Sequence, residues 1–159
     1  MNEDISFFKE HGKICLLGDF NCRIGELESR ISREEREREG ENEIIFKRRS
    51  EDKKNDFGGK NLINFMNDHN LIILNGLKSI APMTSIQWRG QTVIDYIISD
   101  QELYQKIKNF RTWKGEFSLI GDHRLLSIKV EGRLVEKKEN VVSERRKEER
   151  LAKSDKRKR

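Results

Sequence analysis

Three short stretches of this 159-residue chain bring together side chains that could do hydrolytic chemistry. The first is K-I-C-L-L-G-D-F-N, residues 13–21. Its apolar run, Ile14 to Leu17, has the length and composition of a buried strand and leads through Gly18 to Asp19, Phe20 and Asn21. Alternate residues of an extended backbone share a face, so Asp19 and Asn21 are expected to point together while Phe20 anchors the other side. A carboxylate and an amide converging at a strand end suit metal, phosphate or general-base chemistry. Gly, Asp and Asn also favour turns, so taken alone the same residues read first as a plain strand-to-turn signal. The second stretch is V-I-D-Y-I-I-S, where Asp95 interrupts an apolar strand. A buried carboxylate needs a partner, although an ordinary salt bridge on a half-buried strand would serve. The third, G-D-H-R-L-L, sets Asp122 beside His123 in a loop ahead of a strand, a pairing also common on surfaces.

The elements that must position these residues alternate between helix and strand, which indicates an α/β (α+β) fold. Residues 3–10 read as a short helix carrying Ile5 and Phe8 on one side and stopped by Gly12. Cys15, inside the apolar run, reads as a small core residue. Lys60 to His69 has mostly helical spacing, and Leu71 to Leu74 reads as a second buried strand. Met83–Trp88 and Thr92–Ile98 read as a hairpin turning at Arg89-Gly90-Gln91. Ser99 to Glu102 reads as a capping box opening a helix to about Asn109. A strand near Phe110–Trp113, a loop over Lys114–Phe117 and a strand at Leu125–Val130 follow. Residues 26–55 are mostly charged and read as an insertion or long loop that Ile44 to Phe46 dock back onto the body. This gives one domain over residues 1–133, followed by a basic tail at 134–159.

Charge separates the two parts. The net charge is +5, and residues 136–159 hold eleven Lys or Arg against six Asp or Glu, so the other residues are neutral with 22 of each sign. The tail therefore offers phosphate contacts of the nonspecific, salt-sensitive kind, to DNA or to RNA. Its K-R-K-R end has the composition of a nuclear-targeting patch. Two cysteines seven residues apart match no zinc or redox spacing, and an intracellular, reducing compartment is expected. No apolar stretch approaches ~20 residues, so no membrane span is expected.

Taken in order, G-D-F-N, then T-S…W-R-G…V-I-D-Y-I-I-S, then G-D-H-R-L-L resemble the C-terminal half of the endonuclease/exonuclease/phosphatase superfamily. The resemblance covers about residues 12–131 and is nearest to the endonuclease domains that precede reverse transcriptase in LINE-type retrotransposons. The run G-G-K-N-L-I-N-F-M-N-D-H-N-L-I-I-L-N-G, residues 58–76, is similar to the helix–strand unit of those elements. The resemblance implies half of a four-layer α/β/β/α sandwich, with a mixed sheet and helices on one face. It also implies Mg²⁺- or Mn²⁺-dependent hydrolysis of DNA phosphodiesters and a reverse transcriptase domain as partner in the parent element. On this basis Asp19 orients or deprotonates the attacking water and Asn21 hydrogen-bonds the scissile phosphate. Asp95 holds the His123 imidazole, His123 binds the phosphate, and Asp122 contributes to the metal site directly or through water. Thr84, Ser85, Trp88 and Arg89 fall on a hairpin bordering the nucleic acid, as backbone-contacting or structural positions.

Two departures qualify the resemblance. The family usually has Ser before the Asp-His pair, whereas this chain has Gly121. Only some 12 residues precede the strand carrying Asp19, so the half that supplies the metal-binding Glu is expected to be absent. The implied chain is a truncated retroelement reading frame, inactive by itself, with an exposed apolar sheet face that favours self-association. The alternatives are a non-catalytic remnant that binds nucleic acid through its tail, or another phosphoesterase of the same superfamily.

Overall fold

The computed structural model describes residues 2–32, 43–88, 90–113 and 121–132. Arg89, the loop expected over Lys114–Phe117 and the basic tail fall outside the described residues. The centre of the fold is an antiparallel sheet of three strands in the order β1 (Cys15–Asp19), β7 (Asp95–Asp100), β4 (Leu71–Ile73). Four further pairs of elements surround it. These are helices α1 (Asn2–His11) and α2 (Phe57–Asp68) and the ladders β2–β3 (Ser29–Ser32, Glu43–Phe46), β5–β6 (Ser85–Gln87, Gly90–Thr92) and β8–β9 (Ile107–Thr112, Leu126–Val130). A short helix, α3 (Gln101–Lys106), joins β7 to β8. The chain is thus α+β. Its described ladders are antiparallel where a mixed sheet was expected, and the parallel pairing Ser50 with Ala81 is an isolated bridge.

Alternation along β4 and β7 sends their apolar residues to two cores. Leu71, Ile73, Tyr96 and Ile98 cluster with Ile5, Leu62, Ile63 and Met66 from the helices. Ile72 and Ile97 cluster on the opposite side with Ile31, Ile107 and Leu126 from the outer ladders. Ile72, Ile97 and Ile98 are fully buried, and each such side chain contributes about 1.5–3 kcal/mol by leaving water. The outer ladders therefore cover most of the sheet face that was expected to be bare. It stays open at β1, where Cys15 is exposed and Leu17 is 56% exposed. Cys15 is thus not a core residue, because the strand that carries it lies at the sheet edge.

Several element boundaries shift for local reasons. Helix α2 starts at Phe57 because the Asp56 side chain caps it, accepting the Gly59 N–H at 2.7 Å. Gly59 lies against the Arg23 carbonyl, where an added Cβ would sit 1.9 Å from that oxygen, so no larger residue fits. Asp100, not Ser99, caps α3, and the helix ends at Lys106 rather than near Asn109. The expected hairpin is cut short as well. Its second arm, β6, stops at Thr92, and β7 leaves to pair with β1 and β4.

The described part of the charged stretch 26–55 is built into the fold. Its β2 and β3 pair, and Arg48, Ser50 and Asp52 are buried. These charges tolerate burial because they are bonded. Arg48 donates from Nε to the Asn75 carbonyl at 2.9 Å and from Nη1 to the Gly25 carbonyl. Asp52 accepts both prongs of the Arg23 guanidinium. Ile44 and Phe46 pack on the core as expected.

Candidate active site

The β1–β7 register places Asp19 directly opposite Asp95, two carboxylates across one antiparallel pair. Like charges in that position repel, so a cationic partner is needed. His123 fills the role. Its Nδ1 lies 3.0 and 2.9 Å from the two oxygens of Asp95, which is buried. Ligand-type atoms of Asp19, Asp95 and His123 all lie within 4.8 Å of one another.

His123 reaches this point because residues 122–124 dock along β5. Ile86 N–H donates to the Asp122 carbonyl at 2.6 Å, Arg124 N–H donates to the Thr84 carbonyl at 2.7 Å, and Ser85 bridges His123. Thr84 is fully buried, and its hydroxyl accepts the Ile94 and Asp95 N–H groups at 3.1 Å each. Ser85 is also buried, whereas Trp88 is 88% exposed on the turn after β5. Asp122 is exposed, with one oxygen 3.9 Å from His123 Nε2 and the other accepting from the Gln87 side chain at 2.9 Å. It stands beside the three-residue donor cluster rather than in it. Gln87 gives Asp122 an orienting donor next to Gly121, which has no side chain to offer.

Asn21 does not follow the alternation. Strand β1 ends at Asp19, and Asn21 takes φ +49°, with its backbone N–H on Asp19 Oδ1 at 2.8 Å. The turn and the site therefore coincide, since the Asn21 backbone orients the Asp19 carboxylate. Phe20 packs toward Tyr96, with ring centroids 6.0 Å apart, as an anchor should.

Sequence reasoning missed Asn75. It is fully buried, donates from Nδ2 to the Asp95 carbonyl at 3.1 Å and accepts the Ile97 N–H at 3.0 Å. A polar residue closing the apolar run L-I-I-L was the available signal, of the same kind that singled out Asp95.

A family model described as Endonuclease-reverse transcriptase matches residues 2–127. The chain belongs to that family. No curated protein and no solved structure matches it.

The three motifs of this endonuclease-reverse transcriptase chain all lie inside the matched span. Burial lowers the pKa of His123, but the Asp95 hydrogen bond and the charges of Asp95, Asp19 and Asp122 outweigh it and raise the value above the ordinary one. A histidine raised on folding stabilises fully below its unfolded value of about 6.5, and the benefit is lost as pH climbs through the folded value. The urea midpoint is therefore expected to be higher at pH 6 than at pH 8.5, and Asp95→Asn to shrink that difference. A difference of equal size in Asp95→Asn would exclude the pair as its source.

The donor set fits a hard divalent cation such as Mg²⁺. Such ions keep several waters and take one or two carboxylates plus substrate phosphates. Asp19 is exposed, and a carboxylate that accepts one N–H retains lone pairs for further ligands. Asp95, with both oxygens facing His123, is the less free of the two.

Proposed function

We propose that this endonuclease-reverse transcriptase chain carries a metal-dependent DNA phosphodiesterase site, the endonuclease module of a retroelement. The observation that supports it best is the cross-strand Asp19–Asp95 pair with His123 bonded to Asp95. A general base, an oriented imidazole and an open side toward solvent are what hydrolysis of a phosphodiester requires. In this reading Asp19 takes the proton of the attacking water. His123, held through Nδ1 by Asp95, donates from Nε2 to a phosphate oxygen as charge grows there. Asn21 contacts the scissile phosphate, and Trp88, with Arg89 beyond it in sequence, borders the nucleic acid. Thr84 and Ser85, both buried, support the site from beneath. Asp19, with Asp122 through water, would hold Mg²⁺ or Mn²⁺, which supplies positive charge against the phosphate oxygens when bound.

With Asp19 as the one exposed carboxylate of the donor cluster, slow catalysis is expected of the chain. The C-terminal-half reading, the reverse transcriptase partner and a nuclear location belong to the same proposal.

The test is nicking of supercoiled plasmid with Mg²⁺, with and without EDTA. Slow, EDTA-sensitive nicking lost in Asp19→Ala and His123→Ala is the expected result. Nicking unchanged in both variants would mean another nuclease is present. No nicking, together with a salt-sensitive mobility shift lost on deleting residues 136–159, would favour a non-catalytic nucleic-acid binder. Release of phosphate from small monoesters without plasmid nicking would favour another phosphoesterase.

A further inference from the structure

The charged segment leading into α2 links the two stretches of chain that flank the site residues. Asp52 is buried and sits at a junction. Its Oδ2 accepts the Arg23 Nε–H at 2.8 Å and the Val93 N–H at 3.2 Å, and its Oδ1 accepts from Arg23 Nη2 and, at 3.2 Å, from the Lys54 N–H. Arg23 lies two residues beyond Asn21, and Val93 lies two residues before Asp95. One carboxylate thus grips both motifs just outside their working residues.

We propose that Asp52 and Arg23 are positioning residues that set the distance between Asp19 and the Asp95–His123 pair, an inference that rests on the phosphodiesterase reading above. Three observations carry it. First, the last paired residues of β1 and β7, Asp19 and Asp95, face each other as like charges, and the bond from Phe20 N–H to the Ile94 carbonyl at 2.9 Å joins the strands just beyond them. Second, β1 is an edge strand, and no strand among the described residues holds its outer side. Third, Arg23 is fixed in its own backbone. Its N–H donates to Asp56 Oδ2 at 3.0 Å and its carbonyl accepts the Asp56 N–H at 2.9 Å, which ties the loop to the start of α2.

A buried ion pair is a poor way to gain stability alone, since an apolar pair of similar volume often does as well. What the pair adds is direction, because the planar guanidinium meets the carboxylate through two bonds. Burial raises the Asp52 carboxyl, yet the Arg23 guanidinium and the Val93 and Lys54 N–H groups hold it below the usual range, so the pair stays charged. Tyr96 supplies a second tether. Its hydroxyl accepts the Ile24 N–H at 3.2 Å and donates to the Val93 carbonyl, with the Cys22 carbonyl at 3.1 Å as the alternative acceptor. That contact keeps the loop on the body when the ion pair is removed, so a variant can remain folded while the site opens.

The test reads the coupling between the two motifs in the full, metal-free chain by NMR of the His123 imidazole. Asp19→Asn is introduced into the wild type, into Arg23→Met/Asp52→Leu and into Arg23→Lys, with folding checked by thermal melting. Asp19→Asn is expected to shift the His123 ring resonances in the wild type. That shift should vanish in the apolar pair and shrink in Arg23→Lys, which keeps the charge but loses the fork and is expected to fold. An equal shift in wild type and Arg23→Lys overturns the positioning role and leaves the site reading intact. No shift in the wild type overturns the placement of Asp19 beside His123, and the function proposal with it.

Discussion

Asp95→Asn is expected to lower EDTA-sensitive cleavage by about 10³-fold, which for a slow catalyst means loss to background. The shape of the side chain is kept, so packing of this buried position survives. What changes is the instruction given to the imidazole. Both Asp95 oxygens now accept from His123 Nδ1, which fixes the proton there and leaves Nε2 facing outward. An amide can present its NH₂ to Nδ1 instead, and the ring then cannot hold protons on both nitrogens, so the positive charge it offers the phosphate from Nε2 is lost. The change also removes one of the charges that raise the pKa of His123. Plasmid nicking rates at fixed Mg²⁺, with melting curves as a folding control, check the prediction. A folded variant with wild-type rate would show that His123 does not depend on Asp95.

Asn75→Ala is expected to be the most damaging change outside the apolar cores, at about 4 kcal/mol. Asn75 satisfies two backbone groups of β7, the Asp95 carbonyl and the Ile97 N–H, where no water reaches. Truncation leaves both unpaired at about 1–3 kcal/mol each and opens a void besides. Against a total stability of about 5–15 kcal/mol for a domain, this is enough to unfold much of the population on warming. Thr84→Val, which leaves the Ile94 and Asp95 N–H groups without their shared acceptor, is expected to cost less, about 2 kcal/mol. Urea denaturation of the two variants gives the comparison, and an Asn75→Ala midpoint at or above that of Thr84→Val would contradict it.

Asp95 and Asp122-His123 were legible as anomalies because each breaks an apolar pattern or sets titratable groups side by side, and the resemblance joined them to Asp19. The helices and the strands read at 14–17, 71–74 and 125–130 were legible from their apolar patterns and lie on β1, β4 and β9. What stayed hidden shares one cause. Arg48 and Asp52 look like solvent-facing charges in a stretch of charges, and only the fold shows that each meets a partner inside. Periodicity reports which residues leave water for apolar company and is silent on charges that leave water in pairs. The Asn21 turn was hidden for a related reason: alternation assumes an extended chain, and a side-chain bond from Asp19 to the backbone ends the strand early.

The two cysteines differ in a way that is of practical use. Cys22 is buried, with its thiol pushed up to about 11, first by burial and then by the charges of Asp56 and Asp19. Cys15 is exposed on β1, on the same face as Asp19 and four residues from it, a span of about 13 Å along a strand. A maleimide reagent should therefore modify Cys15 well before Cys22. The unaltered sequence carries its own attachment point for a fluorophore or spin label, close enough to report whether nucleic acid has arrived at the carboxylates.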